Sequence, residues 1–140
     1  MFINKLTITI KAPVSDVWYA LTDAKIVSQW LPSVKVVSDW EAGSTITYTC
    51  YNEDGTIMEW EGAQMIWEGV INTLDVNEEF SCDYPYASAG LIREDYIFES
   101  IDDSTTQLTQ IQEAISQEVA DNYKEGTEAS LEMLKDYLEE

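Results

Sequence analysis

Ile3-Asn4-Lys5-Leu6-Thr7-Ile8-Thr9-Ile10 runs almost directly into Ala12-Pro13-Val14-Ser15-Asp16-Val17-Trp18-Tyr19-Ala20-Leu21. The first segment alternates with period two, which puts Leu6, Ile8 and Ile10 on one face of a strand. In the second, Val14, Val17, Trp18 and Leu21 recur at helical spacing. Pro13 suits the first helical position, where its missing N–H would have had no partner. Asp16 falls in the first turn, where a negative charge is favoured by the helix dipole. Thr22-Asp23 breaks and recaps the chain, so a second short helix is expected over residues 24–30, ended by Pro32. A strand is thus followed by a short helix pair over residues 12–31, and the helices need a sheet to pack on.

The text that follows supplies one. Residues 34–37 read as a short strand and Glu41-Ala42-Gly43-Ser44 as a turn. Residues 45–51 form a clear strand, with Ile46, Tyr48 and Cys50 on one face and Thr45, Thr47 and Thr49 on the other. Asn52-Glu53-Asp54-Gly55 reads as a hairpin turn, from which residues 56–61 are expected to pair back. A strand over 64–74, interrupted at Gly69, leads through the turn 75–78 to a return strand at 79–84. Residues 85–90 form an irregular loop. Two more strands, 91–100 and 106–114, flank the turn Asp102-Asp103-Ser104. The pattern then changes to one long amphipathic helix over about 119–140, with Tyr123, Thr127, Leu131, Leu134 and Leu138 in a stripe and Met133 and Tyr137 beside it. Gly126 interrupts that helix at about 1 kcal/mol against alanine, which implies that something approaches the backbone there. No repeat, linker or low-complexity segment is evident, and residues 1–140 read as one domain.

At 140 residues the chain can bury roughly 70% of the surface its unfolded form exposes, without metal or disulfide. The formal charge is −20, from 27 Asp and Glu against 7 Lys and Arg, with no histidine. That charge repels phosphate-rich partners, so neither nucleic acid nor an anionic membrane surface is an expected partner. It either keeps the surface solvated or meets a basic protein partner. The absence of histidine excludes Ser-His-Asp and Cys-His catalysis. Cys50 and Cys82 alone cannot complete a structural zinc site, so neither metal nor cofactor is expected. The opening residues show no positively charged segment followed by an apolar one, hence no signal peptide, and no apolar run reaches the roughly 20 residues of a membrane helix. A cytoplasmic protein with two reduced core cysteines is the expectation.

Ala12-Pro13-Val14-Ser15-Asp16-Val17-Trp18-Tyr19-Ala20-Leu21-Thr22-Asp23, followed by Trp30, resembles the opening of the activator-of-heat-shock-protein-ATPase-like family, within the START/SRPBCC superfamily of helix-grip folds. Glu41-Ala42-Gly43-Ser44-Thr45-Ile46, Gly69-Val70-Ile71 with Asn77-Glu78-Glu79-Phe80, and Thr105-Thr106-Gln107-Leu108-Thr109 resemble later parts of the same template. The chain departs from it at Gly126-Thr127, where the family often has Gly-Trp, and at Val76 and Asn77, where it often has a proline. The resemblance implies an α+β fold: a curved antiparallel sheet around the C-terminal helix, with an internal cavity. It does not imply a reaction, because members range from co-chaperone domains to lipid or polyketide binders and a few cyclases.

Carried onto that fold, the strand parities put Tyr48, Cys50, Phe80, Cys82, Tyr84, Tyr96 and Phe98 on the concave face, opposite Tyr123 and Met133 of the helix. These side chains are either ordinary core or the wall of a pocket for an apolar ligand. Tyrosines favour the pocket, since a buried hydroxyl needs a partner. Glu94 alternates with Ile92, Tyr96 and Phe98, so it should point inward with a raised pKa, serving as an acid or base or holding a cationic ligand, unless it reaches solvent or a basic residue. Glu68 is a weaker case. Gln110 and Gln112 should line the same face as Leu108. Trp30-Leu31-Pro32 and the loop 84–90 are candidates for a rim or lid. Three functions stay open: binding of a hydrophobic small molecule without evident catalysis, association with a chaperone through the acidic surface, or a cyclase or hydrolase using Glu94 with Tyr48 or Tyr96. The chain is expected as a monomer or homodimer.

Overall fold

The computed structural model describes residues 2–60 and 62–140; Met1 and Glu61 lie outside the described residues. The opening strand β1 (Phe2–Ile10) leads into α1 (Val14–Thr22) and α2 (Ala24–Trp30). Pro13 caps α1 rather than starting it, one residue from the expected boundary. Asp23 separates the two helices by accepting hydrogen bonds from the backbone N–H of Lys25 (2.9 Å) and Ile26 (3.3 Å), which satisfies N–H groups the first turn leaves unpaired. Trp18 turns inward and meets Phe98 edge to face, with ring centroids 5.1 Å apart. The Trp30 indole N–H donates to the Ala20 carbonyl at 2.8 Å, tying α2 to α1.

The remaining elements are β2 (Val34–Ser38), β3 (Thr45–Cys50), β4 (Glu59–Trp60), β5 (Ala63–Gln64), β6 (Ile66–Asp75), β7 (Glu79–Asp83), β8 (Leu91–Asp102), β9 (Thr105–Ala114) and α3 (Gln117–Glu139). Seven strands form one antiparallel sheet in the order β1-β9-β8-β7-β6-β3-β2. Helix α3, capped by the Ser116 hydroxyl on the Val119 N–H (3.2 Å), packs along β1 and β9 and touches α1 and α2. This is the α+β helix-grip arrangement. On the sheet's inner face Ile10, Ile46, Ile71, Phe80 and Leu108, with Leu134 of α3, are each at most 1% exposed, and burying a side chain of this kind stabilises by about 1.5–3 kcal/mol.

Residues 56–60 pair back only in part: the Asn52 N–H donates to the Thr56 carbonyl and the Met58 N–H to the Cys50 carbonyl, both at 2.8 Å. The Asp54 carboxylate accepts from the Thr56 N–H (3.0 Å) and hydroxyl (2.6 Å), closing a local turn that competes with the ladder. Only a single bridge, Tyr51 to Ile57, continues from β3. β4 instead pairs with β5 in a separate two-stranded ribbon, so the strand expected from residue 64 starts at Ile66.

Gly69 does not interrupt β6. The register shift falls between Ile71 and Thr73, and Gly69 sits in continuous pairing opposite Ile46. A Cβ there would lie 2.9 Å from the Asp83 carbonyl oxygen and 2.9 Å from the Tyr84 ring, so this glycine serves close packing. With the parity intact, Glu68 points outward and is exposed, contrary to expectation. Gly126 is the reverse case: nothing lies within 4 Å of the position its Cβ would take, so no group approaches the backbone there.

Candidate functional site

A cavity of ≈ 720 Å³ lies between α3 and the sheet. Strand register aligns the side chains at and behind its floor. Cys82 of β7, Glu94 of β8, Gln112 of β9 and Asn4 of β1 stand in one row across four strands. Phe80, Tyr96, Gln110 and Leu6 form the next inward-facing row. Facing side chains in such rows are close enough to interact directly, and here they form a polar network within an apolar wall. Gln110 Nε2 donates to Glu94 Oε2 (2.7 Å) and to the Tyr96 hydroxyl (3.1 Å). Gln112 Nε2 donates to the same Glu94 oxygen (2.9 Å) and to Thr127 Oγ1 (3.0 Å).

The orientation of that network originates in the helix. Asn4 Nδ2 donates to the Ala120 carbonyl of α3 at 2.6 Å and to Gln112 Oε1 at 3.4 Å. A carbonyl only accepts, so it fixes which end of the Asn4 amide faces it. Asn4 then fixes Gln112, whose N–H groups are left to face Glu94 and Thr127. Burial pushes the Glu94 carboxyl above its ordinary pKa, while hydrogen bonds from Gln112, Gln110 and Tyr96 pull it back. The surface Glu94 keeps accessible faces the cavity it lines. Burial likewise raises the Tyr48, Tyr84 and Tyr96 phenols well above their usual range, helped by the nearby carboxylate of Glu94.

Among the residues expected at a site, Tyr48, Cys50, Tyr84, Glu94, Tyr96, Gln110 and Tyr123 border the cavity, as does Gln112. Phe80, Cys82 and Phe98 are buried behind it in the core. Phe80 stacks on Tyr96 with centroids 5.9 Å apart and an interplanar angle of 11°. Met133 does not face the cavity: it is 44% exposed. At about 100° per residue it sits well off the line of Thr127, Leu131 and Leu134, which α3 buries. Both thiols are free and burial raises their pKa, which makes them poor nucleophiles.

Trp30 and Leu31 line one side of the mouth, and Ala89 and Leu91 another. The loop before β8 is held in place. The Tyr123 hydroxyl, which receives the Trp67 indole N–H, donates to the Ala89 carbonyl (3.1 Å), and the Ser88 hydroxyl donates to the Glu68 carbonyl (3.1 Å). Ala87 and Ala89 both adopt left-handed backbone, φ 47° and 51°, a conformation that non-glycine residues seldom take. Trp60, on the β4–β5 ribbon, also reaches the cavity and is 62% exposed.

Sequence reasoning missed Asn4, Trp60 and Trp67. Asn4 continues the alternation of Ile10, Ile8 and Leu6 inward, and a polar residue at that parity was the available signal. Trp67 shares its parity with Ile71 and was hidden by the break assumed at Gly69. Trp60 has no local signal, because tertiary contacts alone bring its two-residue strand to the mouth. The Gly126-Thr127 departure falls on the cavity wall: Thr127 is buried and accepts from Gln112, in the place where the resemblance leads one to expect a tryptophan.

No curated protein matches the chain. Solved structures share its fold. A Cytophaga hutchinsonii protein, ChR145, is 22% identical, with a TM-score of 0.69 over 99% of this chain and 94% of that one. A Nitrosomonas europaea protein is 13% identical, with a TM-score of 0.75 over 99% and 94%. The Aha1 dimer from Colwellia psychrerythraea is 18% identical, with a TM-score of 0.71 over 99% and 96%. None of the described helices is long and apolar enough to cross a membrane. The model of a family described as Activator of Hsp90 ATPase homolog 1-like protein matches residues 11–139, from the end of β1 to the last residue of α3, and the chain belongs to that family.

Proposed function

We propose that the protein binds a hydrophobic small molecule in the cavity beneath α3. The observation that carries this reading is the space itself. Its ≈ 720 Å³ falls within the roughly 300–1,000 Å³ of small-molecule sites, which are largely apolar with a few convergent polar groups. In this reading Tyr48, Cys50, Tyr84, Tyr96 and Tyr123 contact the apolar body, while Glu94 and Gln110 orient its polar end. Phe80, Cys82 and Phe98 support the wall from behind. A reducing cytoplasm suits Cys50 and Cys82, both free.

The test is thermal unfolding in the presence of a broad set of lipids and aromatic metabolites. At least one class should raise the midpoint, because a ligand at a hundred times its Kd stabilises by about 2.7 kcal/mol. No shift from any of them would overturn the reading. The charge of −20 supports a second reading, a chaperone-type partner with a basic patch. The family description, and a dimeric relative from Colwellia psychrerythraea, give it context. Such a complex should form at low salt and dissociate as salt rises; no capture of a purified chaperone at low salt would refute it. The raised pKa of Glu94 also fits proton transfer in a cyclisation or hydrolysis, which Glu94→Gln would abolish.

A further inference from the structure

We propose that the ligand is an amphipathic amine, an apolar body carrying one protonated nitrogen that docks on the Glu94 carboxylate. This rests on the binding function proposed above and names the chemical class. Glu94 presents a carboxyl group to a cavity whose other polar lining is neutral or acidic, and none of the chain's basic side chains lines that cavity among the described residues. Arg93, its neighbour in sequence, is turned to the opposite face, where it pairs with Asp83 (3.0 Å) and Asp95 (3.2 Å). A carboxylate kept from solvent is stabilised by a counter-charge. The two glutamine amides solvate one of its oxygens but supply no positive charge.

The surroundings favour a cation over the alternatives. Trp30, Tyr48, Trp67, Tyr84 and Tyr96 line the cavity, and aromatic rings attract cations through their negative faces. The Tyr48 and Tyr84 phenols are buried beside other charges, and neither has a side-chain hydrogen bond among the described residues, so both can accept from an N–H. On the α3 side of the cavity stand Glu118 and Glu125. With the chain at −20, this mouth attracts a cation and repels a carboxylate such as a fatty acid. A neutral ligand would gain nothing from either feature.

Three probes of one skeleton separate the cases: anthracene-9-methylamine, anthracene-9-methanol and anthracene-9-carboxylate, titrated calorimetrically into the purified full chain. The ammonium should bind about tenfold or more tighter than the alcohol, the effect of one charge-assisted hydrogen bond, with the carboxylate weakest. The preference should persist at about 0.5 M salt, where screening acts within roughly 4 Å, because the pairing is inside the cavity. Glu94→Gln, with native circular dichroism, should bring the amine-to-alcohol ratio close to one. Alcohol binding as tight as amine binding in the unmodified chain overturns the amine class and leaves the cavity function standing. So does a preference that disappears in salt or survives Glu94→Gln. Failure of all three probes to bind overturns both.

Discussion

Gly126→Ala should stabilise the protein. Gly126 lies in the interior of α3 (Gln117–Glu139), where glycine costs about 1 kcal/mol against alanine because it loses more backbone freedom on folding. Its φ is not in the left-handed region, and an added Cβ would meet nothing within 4 Å. No steric cost therefore offsets the gain. A gain of about 1 kcal/mol in a chain of this size raises Tm by roughly 3–4 °C, which differential scanning calorimetry resolves. Gly126 borders the cavity, so Gly126→Leu should keep much of the helical gain while projecting a larger side chain across the space. Intrinsic Tm and the shift produced by a ligand should then move in opposite directions, as expected where a site is maintained at the expense of stability. A lower Tm for Gly126→Ala would refute the reasoning, since it would mean that the helix is closely packed there. An undiminished ligand shift in Gly126→Leu would show that the site lies elsewhere.

Gly69→Ala should lose about 1–3 kcal/mol in urea unfolding, the cost of overpacking, because the new methyl would lie 2.9 Å from both the Asp83 carbonyl and the Tyr84 ring; a neutral result would contradict that contact. Asn4→Ala removes the donor shared by Gln112 Oε1 and the Ala120 carbonyl. It should cost about 1–3 kcal/mol and release the Gln112 amide, seen as altered side-chain amide resonances; unchanged stability would remove Asn4 from the network. The folded chain holds the Glu94 proton to higher pH than the unfolded chain does. Between the ordinary glutamate range and the raised value the folded state therefore binds more protons, and stability falls as pH rises through that window. The exposed carboxyls of Asp54, Asp102 and Glu139 are held low by hydrogen bonds and act with the opposite sign, but they are common to both proteins. Subtracting the Glu94→Gln stability from that of the unmodified protein should leave a difference that declines with rising pH; parallel curves would refute the shift.

Most of the fold could be read from residues whose pattern is local. The alternation in β9, with Thr106, Leu108, Gln110, Gln112 and Ala114 all buried, survives intact, and so does the capped break at Asp23. The inward direction of Glu94 followed from the same period-two logic. The pattern is less legible where side chains compete with the ladder or where geometry is set at a distance. The side chains of Asp54 and Thr56 close a turn after which the pairing with β3 stays short, and composition does not announce that competition. The bulge near Asn72 was assigned to Gly69 because glycine is the usual marker of irregularity. Met133 was assigned to the cavity from its neighbours in the stripe, yet one residue's rotation carried it to solvent. The hydrogen bond from Asn4 to Ala120, which spans nearly the whole chain, appears only once β1 and α3 are packed together.

Indole N–H resonances offer the most direct test of a ligand site under α3. Trp30, Trp60 and Trp67 border the cavity, whereas Trp18 packs on Phe98 and Trp40 on Phe80 in the core. Titrating an apolar ligand that raises Tm, and following the five tryptophan side chains by two-dimensional NMR, should move the signals of Trp30, Trp60 and Trp67 and leave those of Trp18 and Trp40 in place. Movement confined to resonances of the sheet's outer face, with the three cavity indoles unchanged, would contradict a binding site beneath the helix.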